Sequence, residues 1–152
     1  MNGQSETLHG TTVALDGRAV LLIGPSGSGK SDLALRLTDR GADLVSDDYT
    51  VILRKGDTLI ASAPENIAGK MEVRGIGIVE MPAVRDAPLA LILDLAAPVQ
   101  RYPDVPATKE IAGISVPLLP LSPFEASAPI KVALALRAYG LATRADDLPA
   151  AS

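Results

Sequence analysis

Apolar and polar positions along the chain fall into two patterns. Ala19-Val20-Leu21-Leu22-Ile23 is apolar throughout and Leu89 to Leu95 nearly so, as expected of strands buried on both faces of a sheet. From Lys30 to Arg40 the period changes. Leu33, Ala34 and Leu37 share one face while Asp32, Arg36 and Asp39 share the other, which predicts an amphipathic helix. Arg40-Gly41 ends it with a cation in the last turn and a glycine beyond. His9 to Leu15 reads as a strand followed by the hairpin signal Asp16-Gly17. Asp43 to Ser46 predicts a short strand that runs into Asp47-Asp48. Tyr49 to Arg54 and Leu59 to Ala63 read as a hairpin around Lys55-Gly56-Asp57, and Glu72 to Val79 as a glycine-punctuated strand segment. Pro103 to Pro106 reads as loop. Ile111 to Leu118 reads as an edge strand, since Pro117 has no N–H for a ladder. Ala128 to Tyr139 predicts a helix with Ile130, Leu134 and Ala138 at helical spacing, ended by Gly140. Together these elements predict an α/β fold, a mixed β-sheet with flanking helices. A single domain is expected over 1–142, with a polar, disordered tail over 143–152.

Gly24-Pro25-Ser26-Gly27-Ser28-Gly29-Lys30-Ser31 joins the first apolar run to the amphipathic helix. It fits G-x-x-x-x-G-K-[ST] between a strand and a helix, the setting in which this motif binds phosphate. Glycines let backbone N–H groups close around the anion, and the helix N-terminus adds unpaired donors and partial positive charge. Lys30 suits the outer phosphates of a nucleoside triphosphate and the Ser31 hydroxyl suits Mg²⁺. ATP and Mg²⁺ are the cofactors this stretch implies.

Composition narrows the rest. The chain has 152 residues, of which 47% are apolar and only 3% aromatic, so one aliphatic core is expected. It has no cysteine, hence no disulfide and no thiolate metal site, as fits a cytoplasmic protein. The stretch from Met1 to Glu6 lacks a basic or apolar leader pattern. Ala87 to Val99 contains Asp94 and two prolines and is too short to span a bilayer, so no membrane association is expected. A net charge of −4 argues against nucleic acid as a partner.

Asp47-Asp48 follows a strand, where ligands gather in open α/β sheets. One acid can hold Mg²⁺ while the other accepts a proton from an incoming hydroxyl; a solvated turn is the alternative. His9, the single histidine, opens a strand and by itself suggests little. Glu72 and Arg74, two apart on one strand, would share a face, as a site pair or a surface ion pair.

In order along the chain, these pieces resemble the C-terminal catalytic domain of HPr kinase/phosphorylase, a bacterial enzyme of the HPr kinase and PEP carboxykinase-like type of P-loop fold. The resemblance rests on His9-Gly10, on Leu22 to Leu35 around the phosphate loop, on Arg40-Gly41 with Leu44-Val45-Ser46-Asp47-Asp48, and on Glu72-Val73-Arg74-Gly75-Ile76-Gly77. It implies ATP-dependent phosphorylation of a serine of the phosphocarrier HPr, with reverse phosphorolysis as a second activity, in a homo-oligomer, commonly a hexamer. It implies Asp48 as the base, assisted by His9. Lys30 would lie on the β- and γ-phosphates, with Ser31, Asp47 and Glu72 near Mg²⁺. Arg74 and Arg101 are the catalytic arginines it implies. The chain reads as the short form of the family. Pro120 to Ser127, where the family carries an Arg/Gly/Asn loop, has no arginine and no glycine, which leaves the reverse reaction open. Two other functions remain compatible with the phosphate loop alone: a small-molecule P-loop kinase and a nucleotide-sensing module with little turnover.

Overall fold

The apolar runs fold as strands and the two helical patterns as helices. In chain order they are β1 (Ser5–His9), β2 (Thr11–Leu15), β3 (Arg18–Ile23), α1 (Lys30–Asp39), β4 (Asp43–Ser46), β5 (Tyr49–Lys55), β6 (Thr58–Ser62), β7 (Lys70–Val73), β8 (Gly77–Glu80), β9 (Asp86–Asp94), β10 (Ala107–Ile111), β11 (Ile114–Pro120) and α2 (Ala128–Tyr139). The structure, a computed structural model, describes residues 4–102 and 105–142. The tail expected over 143–152, the first three residues and positions 103–104 of the expected loop lie outside these.

The two apolar runs lie side by side and parallel, with Val20 opposite Leu91 and Ile23 opposite Asp94. On its other edge β9 takes β6 at its start, pairing Ser62 with Asp86, and β11 at its end, pairing Pro120 with Asp94. Beyond β3 come β2 and then β4, each antiparallel to its neighbour. Strands β3, β4, β9 and β11 therefore point the same way. Their last residues Ile23, Ser46, Asp94 and Pro120 mark one end of the sheet. The β2–β3 turn holds Asp16 and Gly17 at φ 52° and 79°, the geometry an Asp-Gly hairpin favours.

Side chains alternate across the sheet and fill two cores. Val20, Leu22, Leu91 and Leu93 join Leu33 and Leu37 of α1 and Val132 and Leu136 of α2. Leu21, Leu89 and Ile92 point the other way, where Ile52, Leu59 and Ala61 from the β5–β6 hairpin close over them. This is why Ala19 to Ile23 and Leu89 to Leu93 read as apolar without a break.

Four elements differ from their sequence patterns. The strand expected from His9 to Leu15 is two: β1 pairs with β5 and β2 enters the other part of the sheet. The break is Gly10, whose N–H donates to the Asp48 carbonyl at 2.8 Å. A Cβ there would lie 2.8 Å from Leu21 Cδ1 and from the Leu22 carbonyl oxygen, so only glycine fits. The strand expected from Ile111 to Leu118 is a hairpin, β10–β11, turning at Ala112-Gly113 with φ 48° and 84°. Ala112 tolerates that conformation because Arg54 Nη1 donates to its carbonyl at 2.8 Å and its N–H donates to Glu6 Oε2 at 3.0 Å. The edge strand is β10. Pro117 of β11 lies just short of Leu118, where pairing with β9 begins. Glu72 to Val79 is likewise a small ribbon, β7–β8, that pairs with neither side of the main sheet. Arg74 consequently lies in its turn rather than on the strand with Glu72.

Helix α2 turns a different face inward. Ala128, Pro129, Val132 and Leu136 are buried, while Ile130 and Leu134 are 47% and 52% exposed. Both stripes are apolar, so spacing alone does not choose between them. The packing gives a direct contrast: Leu136→Ala is expected to cost about 2–5 kcal/mol of stability and Leu134→Ala no more than about 0.5 kcal/mol, read from urea unfolding of the two variants.

Candidate active site

At the shared strand end, the chain leaves β3 through Gly24 to Gly29 and enters α1 at Lys30. Gly24, Gly27 and Gly29 hold φ of 149°, 85° and 99°, values that the strand-to-helix reversal requires and other residues resist. Lys30 is only 7% exposed. Its Nζ lies along the loop, donating to the carbonyls of Gly24 at 2.6 Å and Pro25 at 3.1 Å. Ser31, one residue on, donates from Oγ to Asp47 Oδ1 at 2.7 Å.

Asp47 is the joint between the phosphate loop and the rest of the site. It is 7% exposed, so its carboxylate needs internal donors. Besides Ser31 it accepts from Thr11 Oγ1 at 3.1 Å and from the Glu72 backbone N–H at 3.3 Å. Segments from β2, α1 and β7 thereby meet on one side chain. Thr11 also accepts from the Asp48 N–H at 3.2 Å, so a single buried hydroxyl clamps both acids.

Asp48 follows in a left-handed conformation, φ 70°, and unlike Asp47 it is exposed. His9 Nε2 lies 3.2 Å from its Oδ1, and the His9 ring lies 5.3 Å from that of Tyr49. The Gly10–Asp48 backbone bond brings this about: it lays the end of β1 against the acid turn.

A cavity of about 710 Å³ opens over this arrangement. Its walls are Ser26, Gly27 and Gly29 of the loop, Lys30, Ser31, Asp32 and Leu35 of α1, Asp48, the segment Met71 to Arg74, and Phe124. The structure thus brings Lys30, Ser31, Asp48, Glu72 and Arg74 to one space, with Asp47 beneath and His9 behind Asp48. Arg101 is not brought there. It lines a separate groove of about 770 Å³ with Val99, Leu134 and Tyr139, its guanidinium carbon 5.6 Å from the centre of the Tyr102 ring. The loop after β9 carries it toward α2 rather than toward α1. This corrects the placement that the family resemblance implies.

The residues present fit a magnesium-bound nucleoside triphosphate. Among the described residues no three acids or histidines gather into a metal cage. Mg²⁺ at phosphates, however, uses one or two protein oxygens, with phosphate and water supplying the rest. Ser31 Oγ and Asp47 Oδ1, side by side at the mouth of a glycine loop, are such a pair. Glu72 touches Asp47 through its main chain, while its own side chain stands exposed in the cavity wall. Asp94 also ends an apolar strand beside β3, but its Oδ1 accepts from the Ala96 N–H at 2.9 Å and serves as a turn cap.

Two residues of the site escaped the sequence patterns. Thr11 reads as one of several strand positions, and only its full burial between two acids reveals it. Phe124 is the chain's only phenylalanine, sitting in a Pro/Ser-rich loop.

Over residues 3–87 the chain matches the family model described as HPr Serine kinase C-terminal domain. The chain belongs to this family. Its relatives include proteins named HPr kinase/phosphorylase. One, from Prosthecochloris aestuarii, is 38% identical over 135 residues, covering 79% of this chain and 40% of the relative. Another, from Chlorobium phaeobacteroides, is 39% identical over 130 residues, covering 76% of this chain and 40% of the relative. The chain therefore spans about two fifths of the length of these curated relatives. The solved structure of the HPr(Ser) kinase/phosphatase from Coxiella burnetii superposes with a TM-score of 0.75 at 30% identity, covering 87% of this chain and 88% of that one. The α/β fold with its mixed sheet and flanking helices is the fold of that protein.

The clamp on the acid pair is testable on its own. Thr11→Val keeps the side chain's shape and removes the hydroxyl shared by Asp47 and Asp48. A loss of about 1–3 kcal/mol relative to the parent is expected, measured by chemical denaturation.

Proposed function

We propose that this chain is an ATP-dependent protein-serine kinase whose acceptor is the phosphocarrier HPr or a related carrier. The observation that carries the reading is the single space shared by the phosphate loop and the acid turn. Lys30 and the loop amides lie at one wall, Asp48 at another, and the Ser31–Asp47 bond fixes one relative to the other at 2.7 Å. The names of the relatives point to the acceptor, HPr.

Phosphoryl transfer asks the protein mainly for alignment and for charge on the equatorial oxygens. The loop amides and Lys30 hold the donor's phosphates. Ser31 and Asp47 would hold Mg²⁺, which when bound neutralises charge on the transferring group. Asp48 accepts the proton of the acceptor serine as the serine oxygen bonds to the γ-phosphorus. The bond from that phosphorus to the β–γ bridging oxygen breaks, and ADP leaves. His9, 3.2 Å from Asp48, holds the carboxylate in place for that proton. Arg74 is a cation on the same cavity wall, within the ribbon that closes the site opposite α1. We place this reaction in the bacterial cytoplasm, in a homo-oligomer.

Asp48→Asn separates binding from transfer, because asparagine tolerates the positive φ at this position. With labelled ATP and purified HPr, the variant is expected to bind nucleotide like the parent and to transfer phosphate about 10²–10⁴-fold more slowly. Transfer at the parent rate excludes Asp48 as the base. Lys30→Ala is expected to weaken nucleotide binding itself, read by isothermal titration calorimetry; unchanged affinity would remove the loop's assignment.

A further inference from the structure

Phe124 is an exposed hydrophobic side chain at the wall of the candidate site. It is 71% exposed, yet its ring lies against the phosphate loop. A Cβ on Gly29 would come within 3.0 Å of Phe124 Cε1 and Cζ and 3.3 Å of Pro123 Cβ. The missing side chain at Gly29 is therefore what lets the aromatic ring approach the anion cradle. The residue also lines the 710 Å³ cavity.

The loop that carries Phe124 is pinned. Arg36 of α1 donates from Nη2 to the Pro123 carbonyl and from Nη1 to the Glu125 carbonyl at 3.3 Å. It is itself held by Asp32 through an Nη2–Oδ2 contact of 2.9 Å. On the far side Lys131 Nζ of α2 reaches Glu125 Oε1 at 2.7 Å. Four charged side chains and two backbone carbonyls thus hold the loop of an exposed ring at a defined place, a preorganised surface rather than a loose side chain.

Sheet order says which part of a ligand meets it. The phosphate loop follows β3. Asp47-Asp48 follow β4, two strands away on one side with β2 between; Phe124 comes just after β11, two strands away on the other with β9 between. A donor whose terminal phosphate lies toward Asp48 must run its nucleoside away from the acids, toward the β11 side. We propose that Phe124 is the nucleobase platform of this site, a specificity-determining residue on which the base of the donor stacks. The inference rests on the reading of the loop as a nucleoside triphosphate site, and deepens it by separating base from phosphate recognition.

The experiment compares two ligands that share phosphates and differ in the base: ATP and inorganic tripolyphosphate, each with Mg²⁺, titrated calorimetrically into the parent, Phe124→Ala, Phe124→Leu and Phe124→Tyr. Phe124→Ala is expected to raise the Kd for ATP about tenfold, the scale of one base–aromatic stack, and to leave tripolyphosphate within about twofold. Phe124→Leu keeps an apolar contact with Gly29 and Pro123 but has no π face, so it should follow the alanine variant for ATP. Phe124→Tyr should follow the parent. Equal loss of both ligands would show that the ring only shapes the phosphate loop, and no loss of either would show that it touches no ligand; both results overturn the proposal. Neither titration uses HPr, so a failure to phosphorylate HPr would sink the proposed acceptor and leave this result standing.

Discussion

One buried carboxylate organises this site. Asp47 is almost wholly withdrawn from water, and an ionised acid in that position is tolerated only with several donors around it. Its three donors come from distant parts of the chain: Thr11 on β2, Ser31 at the start of α1 and the Glu72 amide on β7. Satisfying one charge therefore fixes the relative positions of sheet, phosphate loop and outer ribbon. Asp48 inherits its place from that arrangement. It is the next residue, held at positive φ between the Thr11 hydroxyl and the Gly10 amide. Its carboxylate stays accessible while its backbone is locked. Two adjacent acids of the same type thus stand in different environments, one buried and donor-saturated, the other exposed beside a histidine.

The sheet distributes the parts of the site along one edge. Four parallel strands end together, and ligands in α/β folds collect beyond such ends. The glycine loop is in the middle, the acid turn lies two strands to one side, and the Pro123-Phe124 loop two strands to the other. In the proposed reaction, phosphate binding, proton transfer and base contact each fall to a different loop. The elements between them, β2 and β9, are largely buried.

The phosphate loop and α1 were legible because their signal is local: glycine spacing, a following Lys-Ser and a clean amphipathic period lie within some twenty residues. Strands β3 and β9 were legible because burial on both faces leaves no polar position to obscure them. What could not be read was set by distant contacts. Gly10 breaks a strand because of Leu21 and Leu22, and Ala112 turns a hairpin because Arg54 and Glu6 hold it. Helix α2 has two apolar stripes, and only the packed sheet shows that Val132 and Leu136 go inward rather than Ile130 and Leu134. The family resemblance implies Arg101 near the phosphates, and the path of the loop after β9 takes it elsewhere. Thr11 needed the fold: its importance lies in two hydrogen bonds to residues thirty-six and thirty-seven positions away.

The most direct test of this account is a crystal structure of the protein with Mg²⁺ and a non-hydrolysable ATP analogue. The account predicts the triphosphate in the Gly24–Ser31 loop, with the metal on Ser31 and within one water of Asp47. It also predicts the terminal phosphate on the side of the loop that faces Asp48, near enough for a serine oxygen to fit between them. A triphosphate bound with its terminal group turned away from the acid turn, or a metal held by neither Ser31 nor Asp47, would contradict it.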